Sequence, residues 1–287
     1  MRGDVGLVHL ALPGSTDARS AEQIRQDALE LSQTLPPGVR IALAPHAIYT
    51  VCQSALKDVV KVSEELQMPL HIHCSETERE VAECRKEHNG LTPVEYLDSV
   101  GMLREGTFLA HCVHLTDNDR KIIAARQAVI CHCPVSNMKL CSGMFDFVSA
   151  LQAGCRVTIG TDGASSNNNL SMLEEMKFAA LLAKLRSGDP TAGKDDDILR
   201  CATVAGAAAA GVDAGIAEGK AADVLLVDLN NCRMVGDYNL NANLVYSADS
   251  SAMHTLVCNG KVIMENHHVP GEEEIIADAR KCCDKFR

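Results

Sequence analysis

Residues 69–76 read Pro69-Leu70-His71-Ile72-His73-Cys74-Ser75-Glu76. Up to Cys74 this is a short apolar run, and a side-chain period of two sets His71 and His73 on one face of a strand. Glu76 follows three residues after His73, where the run gives way to polar chain. Similar apolar, β-branched runs occur at residues 5–10, 39–44, 107–112, 128–133 and 155–160. Helical spacing fills most of the intervals. Residues 54–66 bring Leu56, Val59, Val60 and Leu66 near one face, and residues 20–31 and 117–126 repeat the pattern. Strand and helix alternating roughly every 30 residues predict parallel βα units and an α/β fold. Six such units can be counted, without an internal sequence repeat.

Beyond Gly160 the rhythm changes. Residues 170–186 predict a long helix, 187–197 a loop rich in Gly, Pro and Asp, and the Ala-rich residues 198–210 one further helix stopped by Gly211. Strands are then expected at 223–228, 255–258 and 261–264. Asn259-Gly260 between the last two is a strong hairpin signal, so this part is antiparallel. Residues 272–287 read as a closing, charged, amphipathic helix. The organisation expected is a barrel-type domain over residues 1–213 and a smaller unit over 214–287.

Hydrophobic residues make up 46% of the 287 and charged residues 23%, the balance of an ordinary folded domain. With four Tyr, five Phe and no Trp, the core must be aliphatic. Twenty-seven basic against thirty-eight acidic side chains give a formal charge of −11, which argues against nucleic acid or an anionic membrane as partner. No apolar run approaches the roughly 18–20 residues of a membrane span, and Met1-Arg2-Gly3-Asp4 opens no signal peptide, so a cytoplasmic location is expected. Thirteen Cys without a Cys-x-x-Cys pair read mostly as small buried hydrophobes rather than a disulfide framework or zinc knuckle.

The strand ends are loaded with polar residues. His46 follows Ala44-Pro45, His73 lies on the next strand, His111 ends the one after with His114 close behind, His132 ends the fifth run, and Asp162 closes the sixth. In βα barrels chemistry gathers at these carboxyl ends. Imidazoles with a carboxylate suit zinc or another first-row divalent ion, which lowers the pKa of bound water from about 15.7 to about 7. Glu76, one step past His73, is the natural proton shuttle of a metal-assisted hydrolysis.

Four runs carry a family resemblance: residues 71–77 (HIHCSET), 110–115 (AHCVHL), 132–140 (HCPVSNMKL) and 160–168 (GTDGASSNN). They resemble the amidohydrolase superfamily, and within it the methylthioadenosine/S-adenosylhomocysteine deaminase group, whose wider neighbourhood includes triazine and atrazine hydrolases. The resemblance extends through Gly219-Lys220-Ala221-Ala222-Asp223 and the hairpin around Asn259-Gly260. It implies one divalent metal, zinc or iron, with His73 and Asp162 as ligands. It implies Glu76 as the acid/base that protonates the departing amine, and His111 as the histidine bonded to the attacking water. It further implies that Asp162 accepts that water's proton, that His46 contacts the purine or ribose, and that Arg19 meets the substrate tail. His132 and Ser136-Asn137 shape the pocket, and His71 matches no family ligand.

The family carries a His-x-His pair on its first barrel strand, and no counterpart precedes Val5. The resemblance therefore implies an incomplete TIM (β/α)8 barrel, strands three to eight, with the carboxyl-terminal part of a small β-sandwich. Such a chain is a fragment, a sequence begun at an internal Met, or a truncated paralogue, with uncovered edges and weakly cooperative unfolding. The expected activity is hydrolytic deamination of an adenine nucleoside of the S-adenosylhomocysteine, methylthioadenosine or deoxyadenosine class. The alternatives are a guanine deaminase or triazine hydrolase type of amidohydrolase, or an inactive remnant serving as a binding module. A homo-oligomer is also implied.

Overall fold

All six apolar runs become parallel strands: β1 (Gly3–His9), β2 (Val39–Pro45), β3 (Leu70–Cys74), β4 (Thr107–His111), β5 (Val129–His132) and β6 (Arg156–Ile159). They lie in the order β1-β2-β3-β4-β5-β6, so each βα unit sets its strand beside the previous one. The computed structural model describes residues 2–10, 19–213 and 215–286. Within it the chain divides into two units, Met1–Val212 and Asp213–Arg287. Ala214, where the expected second domain begins, lies outside the described residues.

In the first unit, pairing runs from Gly3 opposite Val39 to His9 opposite Pro45, from Leu70 opposite Thr107 to Cys74 opposite His111, and from Val129 opposite Arg156 to His132 opposite Ile159. Along β3 the alternation is strict. Leu70, Ile72 and Cys74 are buried, while His71 and His73 share the other face and stay half-buried. The buried side joins Leu43, Leu56, Leu97, Leu109, Ile123 and Ile130 in a fully enclosed aliphatic layer. Each of these side chains contributes about 1.5–3 kcal/mol by leaving water.

Helix starts are chemically explicit. Ser20 with Gln23, Thr92 with Glu95 and Thr116 with Asp119 each bond reciprocally across the first turn of the helices Ala21–Thr34, Pro93–Ser99 and Asp117–Arg126. Two backbone donors are satisfied each time. The expected helix at 54–66 is observed as Gln53–Leu66, and that at 170–186 as Met172–Ser187. The single helix expected over 198–210 is corrected: two helices, Asp195–Ala202 and Val204–Ala209, meet at Thr203. Thr203 leaves helical geometry at φ −127° and ψ −94°, and its hydroxyl donates to the Leu199 carbonyl at 2.6 Å. A β-branched residue bonding back into the preceding turn interrupts the run.

Asp213–Arg287 holds an antiparallel sheet, β7 (Val224–Val227), β8 (Met253–Cys258) and β9 (Lys261–Met264). Asn259 and Gly260 both have positive φ, 49° and 74°, as the tight turn from β8 to β9 requires. The closing helix forms over Glu272–Cys283, but none of its residues is buried, and Ile275 and Ile276 stand exposed. Arg287 lies outside the described residues.

The cysteine expectation also needs correction. All thirteen are free thiols, yet only six are buried, while Cys52, Cys141, Cys232, Cys282 and Cys283 are exposed. No helix among the described residues is long and apolar enough to cross a membrane.

Candidate active site

The carboxyl ends of β2, β3, β4 and β6 bring five of the sequence-selected residues into one contiguous cluster. The His46 and His73 rings lie 4.8 Å apart, those of His73 and His111 stack at 5.4 Å, and Glu76 Oε2 is 3.8 Å from His111 Nε2. Asp162 joins it through adjacent residues, its carboxylate accepting the Ser136 hydroxyl while Asn137 binds His111 Nδ1.

Each imidazole is oriented through one nitrogen. His73 Nδ1–H donates to the His46 carbonyl at 2.6 Å, and the His73 main-chain N–H donates to the same oxygen at 3.2 Å. That fixes the tautomer and leaves Nε2 with a free lone pair, the arrangement a metal-ligating histidine adopts. His111 is buried, and its Nδ1–H donates to Asn137 Oδ1 at 2.8 Å, which turns Nε2 toward Glu76 as an acceptor. His46 Nδ1–H meets Thr50 Oγ1 at 2.9 Å while the Thr50 hydroxyl donates to the Ala47 carbonyl. Burial and the neighbouring His73 hold His46 below the ordinary imidazole pKa, so it is neutral at physiological pH.

The carboxylates are held just as firmly. Asp162 Oδ2 accepts the hydroxyls of Ser136 at 2.6 Å and Ser166 at 2.7 Å, and Oδ1 accepts the Gly163 N–H at 2.8 Å. Burial pushes Asp162 up, but the hydrogen bonds from Ser136, Ser166 and Gly163 outweigh it and leave the carboxyl below its ordinary value. It is ionised at neutral pH. Glu76 Oε1 accepts the Ser142 hydroxyl at 2.9 Å. The turn carrying Glu76 is clamped by buried Glu80, whose two oxygens accept the consecutive N–H groups of Ser75 (3.0 Å) and Glu76 (2.7 Å).

Backbone strain collects at the same strand ends. Ser75, His111, Cys112 and Asp162 all have positive φ, from 50° to 72°, although none is glycine. Such conformations cost about 1–3 kcal/mol each and persist only where the surroundings enforce them.

Of the other selected residues, His71 and His132 border the cluster and Arg19 stands apart from it. His71 shares the His73 face with ring centroids 6.2 Å away, and burial, then His73 and His111, push it down to about 4. His132 is buried against Phe145 and Phe147, with Nδ1 unpartnered, and burial drives it down to about 3. It is a neutral wall of the site. Arg19 is not brought into the cluster. Its guanidinium is occupied by Asp27 at 2.9 Å and by the Val8 carbonyl, while Asp17 and Ala18 of its motif lie outside the described residues.

Sequence reasoning missed Ser142, Glu80, Ser166 and Thr50. Ser166 lies in the quoted 160–168 run without a role assigned there, and Glu80 left a trace because Thr77-Glu78-Arg79-Glu80 has the spacing of a helix-start box. Glu80 reaches past the cap to Ser75 and Glu76 instead.

Among the described residues, no group of three or more His, Cys, Asp or Glu side chains is placed to hold a metal ion. His73 Nε2 and Asp162 are suitable donors, but two fall short of the three that catalytic zinc sites carry. The donors described here do not by themselves fit a resident zinc ion.

Comparison with known proteins gives this geometry a context. Residues 6–263 match the model of the amidohydrolase family. A 5'-deoxyadenosine deaminase of Methanothermobacter thermautotrophicus is 40% identical over 268 residues, covering 92% of this chain and 62% of that protein. A 5-methylthioadenosine/S-adenosylhomocysteine deaminase of Pelotomaculum thermopropionicum is 45% identical over 241 residues, covering 83% of this chain and 55% of that protein. Among solved structures, an adenosine deaminase from Xanthomonas campestris with bound zinc superposes with a TM-score of 0.93 at 32% identity, covering 100% of this chain and 66% of that one. The chain spans between 55% and 62% of the length of these two curated relatives.

Proposed function

This chain belongs to the amidohydrolase family, and from that premise we propose that it carries the proton-handling part of a hydrolytic deaminase, one that exchanges the exocyclic amine of an adenine nucleoside for oxygen. The observation that carries the reading is the triad of oriented groups at the ends of β3, β4 and β6. Glu76 faces His111 across 3.8 Å, and Asp162 is held ionised beside them. The names of the two curated relatives support the same substrate class.

In this reading His111 Nε2 accepts a hydrogen bond from the attacking water, because its Nδ1 is committed to Asn137. The Asp162 carboxylate takes up the proton that the water sheds. Glu76 delivers a proton to the ring amine, so that ammonia rather than amide ion leaves. His46 offers Nε2 as an acceptor toward the purine or ribose, and Arg19 is assigned to the substrate tail. His73 and Asp162 are the two residues of this chain assigned to a divalent metal, zinc or iron, which would supply acidification of the attacking water. We assign the six parallel strands to positions three to eight of an eight-stranded barrel. The exposure of Val5 and Val8 on outer strand β1 supports this, at 49% and 53%. The β7–β9 sheet is assigned to a small sandwich.

The test is release of ammonia from 5'-deoxyadenosine, methylthioadenosine and S-adenosylhomocysteine, with the ultraviolet shift to the inosine product. Glu76→Gln is expected to lower that rate by about 10²–10⁴. No ammonia from any of the three sinks the proposal. A second reading, nucleoside binding without turnover, draws on the two-donor count and predicts saturable binding with no product.

A further inference from the structure

Ser142 has no part in the family motifs, yet every polar group it owns is committed at the site. Its N–H donates to the Asn137 carbonyl at 2.8 Å, its carbonyl accepts His114 Nε2–H at 2.6 Å, and its hydroxyl donates to Glu76 Oε1 at 2.9 Å. It is 4% exposed. The next residue, Gly143, has φ +126°, and a Cβ there would come within 3.0 Å of Val113 Cγ1 and 3.3 Å of the His114 ring. The segment is thus fixed from both sides. Asn137 holds the Ser142 N–H through its main chain and His111 Nδ1 through its side chain. One residue therefore sets the spacing between the two groups that face each other across the site.

We propose that Ser142 is the positioning residue for Glu76, anchoring Oε1 so that Oε2 is the oxygen turned toward His111. The Ser142 hydroxyl finds no acceptor other than Glu76 Oε1 among the described residues. The bond anchors Oε1, because a hydroxyl turned away from it would lose its one acceptor. Oε2, the oxygen 3.8 Å from His111 Nε2, is left free to exchange a proton. His114 acts one step further back, by holding the Ser142 carbonyl. The inference rests on the reading of Glu76 as the acid of a deaminase, and it adds the group that aims that acid.

The experiment compares the full chain with Ser142→Ala and Ser142→Thr by crystal structure and by kinetics on an adenine nucleoside. In Ser142→Ala the Glu76 carboxylate is expected to swing off its position opposite His111. Turnover number falls about 10- to 100-fold with KM nearly unchanged, the penalty of a misaimed catalytic group. Ser142→Thr keeps a hydroxyl in place and restores both the position and most of the rate. A Glu76 carboxylate unmoved in Ser142→Ala, or a Thr variant as impaired as the Ala variant, overturns the proposal. If the unaltered chain releases no ammonia, the deaminase reading fails, and the carboxylate positions in the three crystals still decide the role of Ser142.

Discussion

Replacing His132 by Phe should remove a defined part of the acid sensitivity of this fold. The imidazole is buried against Phe145 and Phe147, with Nδ1 unpartnered, and burial holds it down to about 3, against 6.5 for the free side chain. Because the folded-state value lies below the unfolded one, its contribution is fully present above about pH 6.5 and is lost as pH falls toward about 3. At about pH 4.5 the unfolded chain has taken up this proton and the folded chain has not. Two pH units below 6.5, at 1.36 kcal/mol per unit, make about 2.7 kcal/mol lost between neutrality and that pH. His71, pushed down to about 4, adds a similar loss in both proteins and cancels in the comparison. Urea unfolding followed by circular dichroism at about pH 7 and about pH 4.5 measures the difference. At urea slopes of about 1–3 kcal/mol/M, the unaltered chain's midpoint drops by about 1–3 M more than that of His132→Phe. Equal drops in the two proteins would refute the account, because the ring would then titrate freely in the folded state.

Two further outcomes follow from the site. Glu80→Gln replaces one carboxylate oxygen by an amide NH₂ that must face a backbone N–H of Ser75 or Glu76. It should cost about 1–3 kcal/mol in urea unfolding, and a loss within error would mean that the clamp is made elsewhere. Zinc binding by the chain alone should be weak, since no trio of His, Cys, Asp or Glu side chains converges among the described residues. Equilibrium dialysis against micromolar free zinc, read by elemental mass spectrometry, checks this, and retention of one zinc per chain would contradict it.

The strands were legible because burial imposes a period that the sequence must obey. Leu70-His71-Ile72-His73-Cys74 can satisfy an apolar face only as an alternating strand, and it does. The interruption at Thr203 was not legible, since Ala-rich chain on both sides favours a helix and only one hydroxyl, bonding back to Leu199, breaks it. Among site residues, those at strand ends could be found because position and chemistry coincide there. Ser142 could not, and Ser166, though inside the 160–168 run, showed no role. Each works through a single hydroxyl whose partner, Glu76 or Asp162, is brought to it by the fold, and a serine hydroxyl carries no periodic signal. The exposure of the whole Glu272–Cys283 helix was equally hidden, because an amphipathic pattern states which face would be covered and not whether anything covers it.

The oxygen that orients His73 belongs to the main chain of residue 46. Every amino acid brings that carbonyl, so replacing the His46 side chain cannot delete the bond. A saturation scan read by activity would register the loss of the His46 imidazole and stay blind to the orienting contact behind it. The aim of His73 is stored in the alignment of one strand with its neighbour, and only insertions or deletions that slide β2 against β3 would erase it.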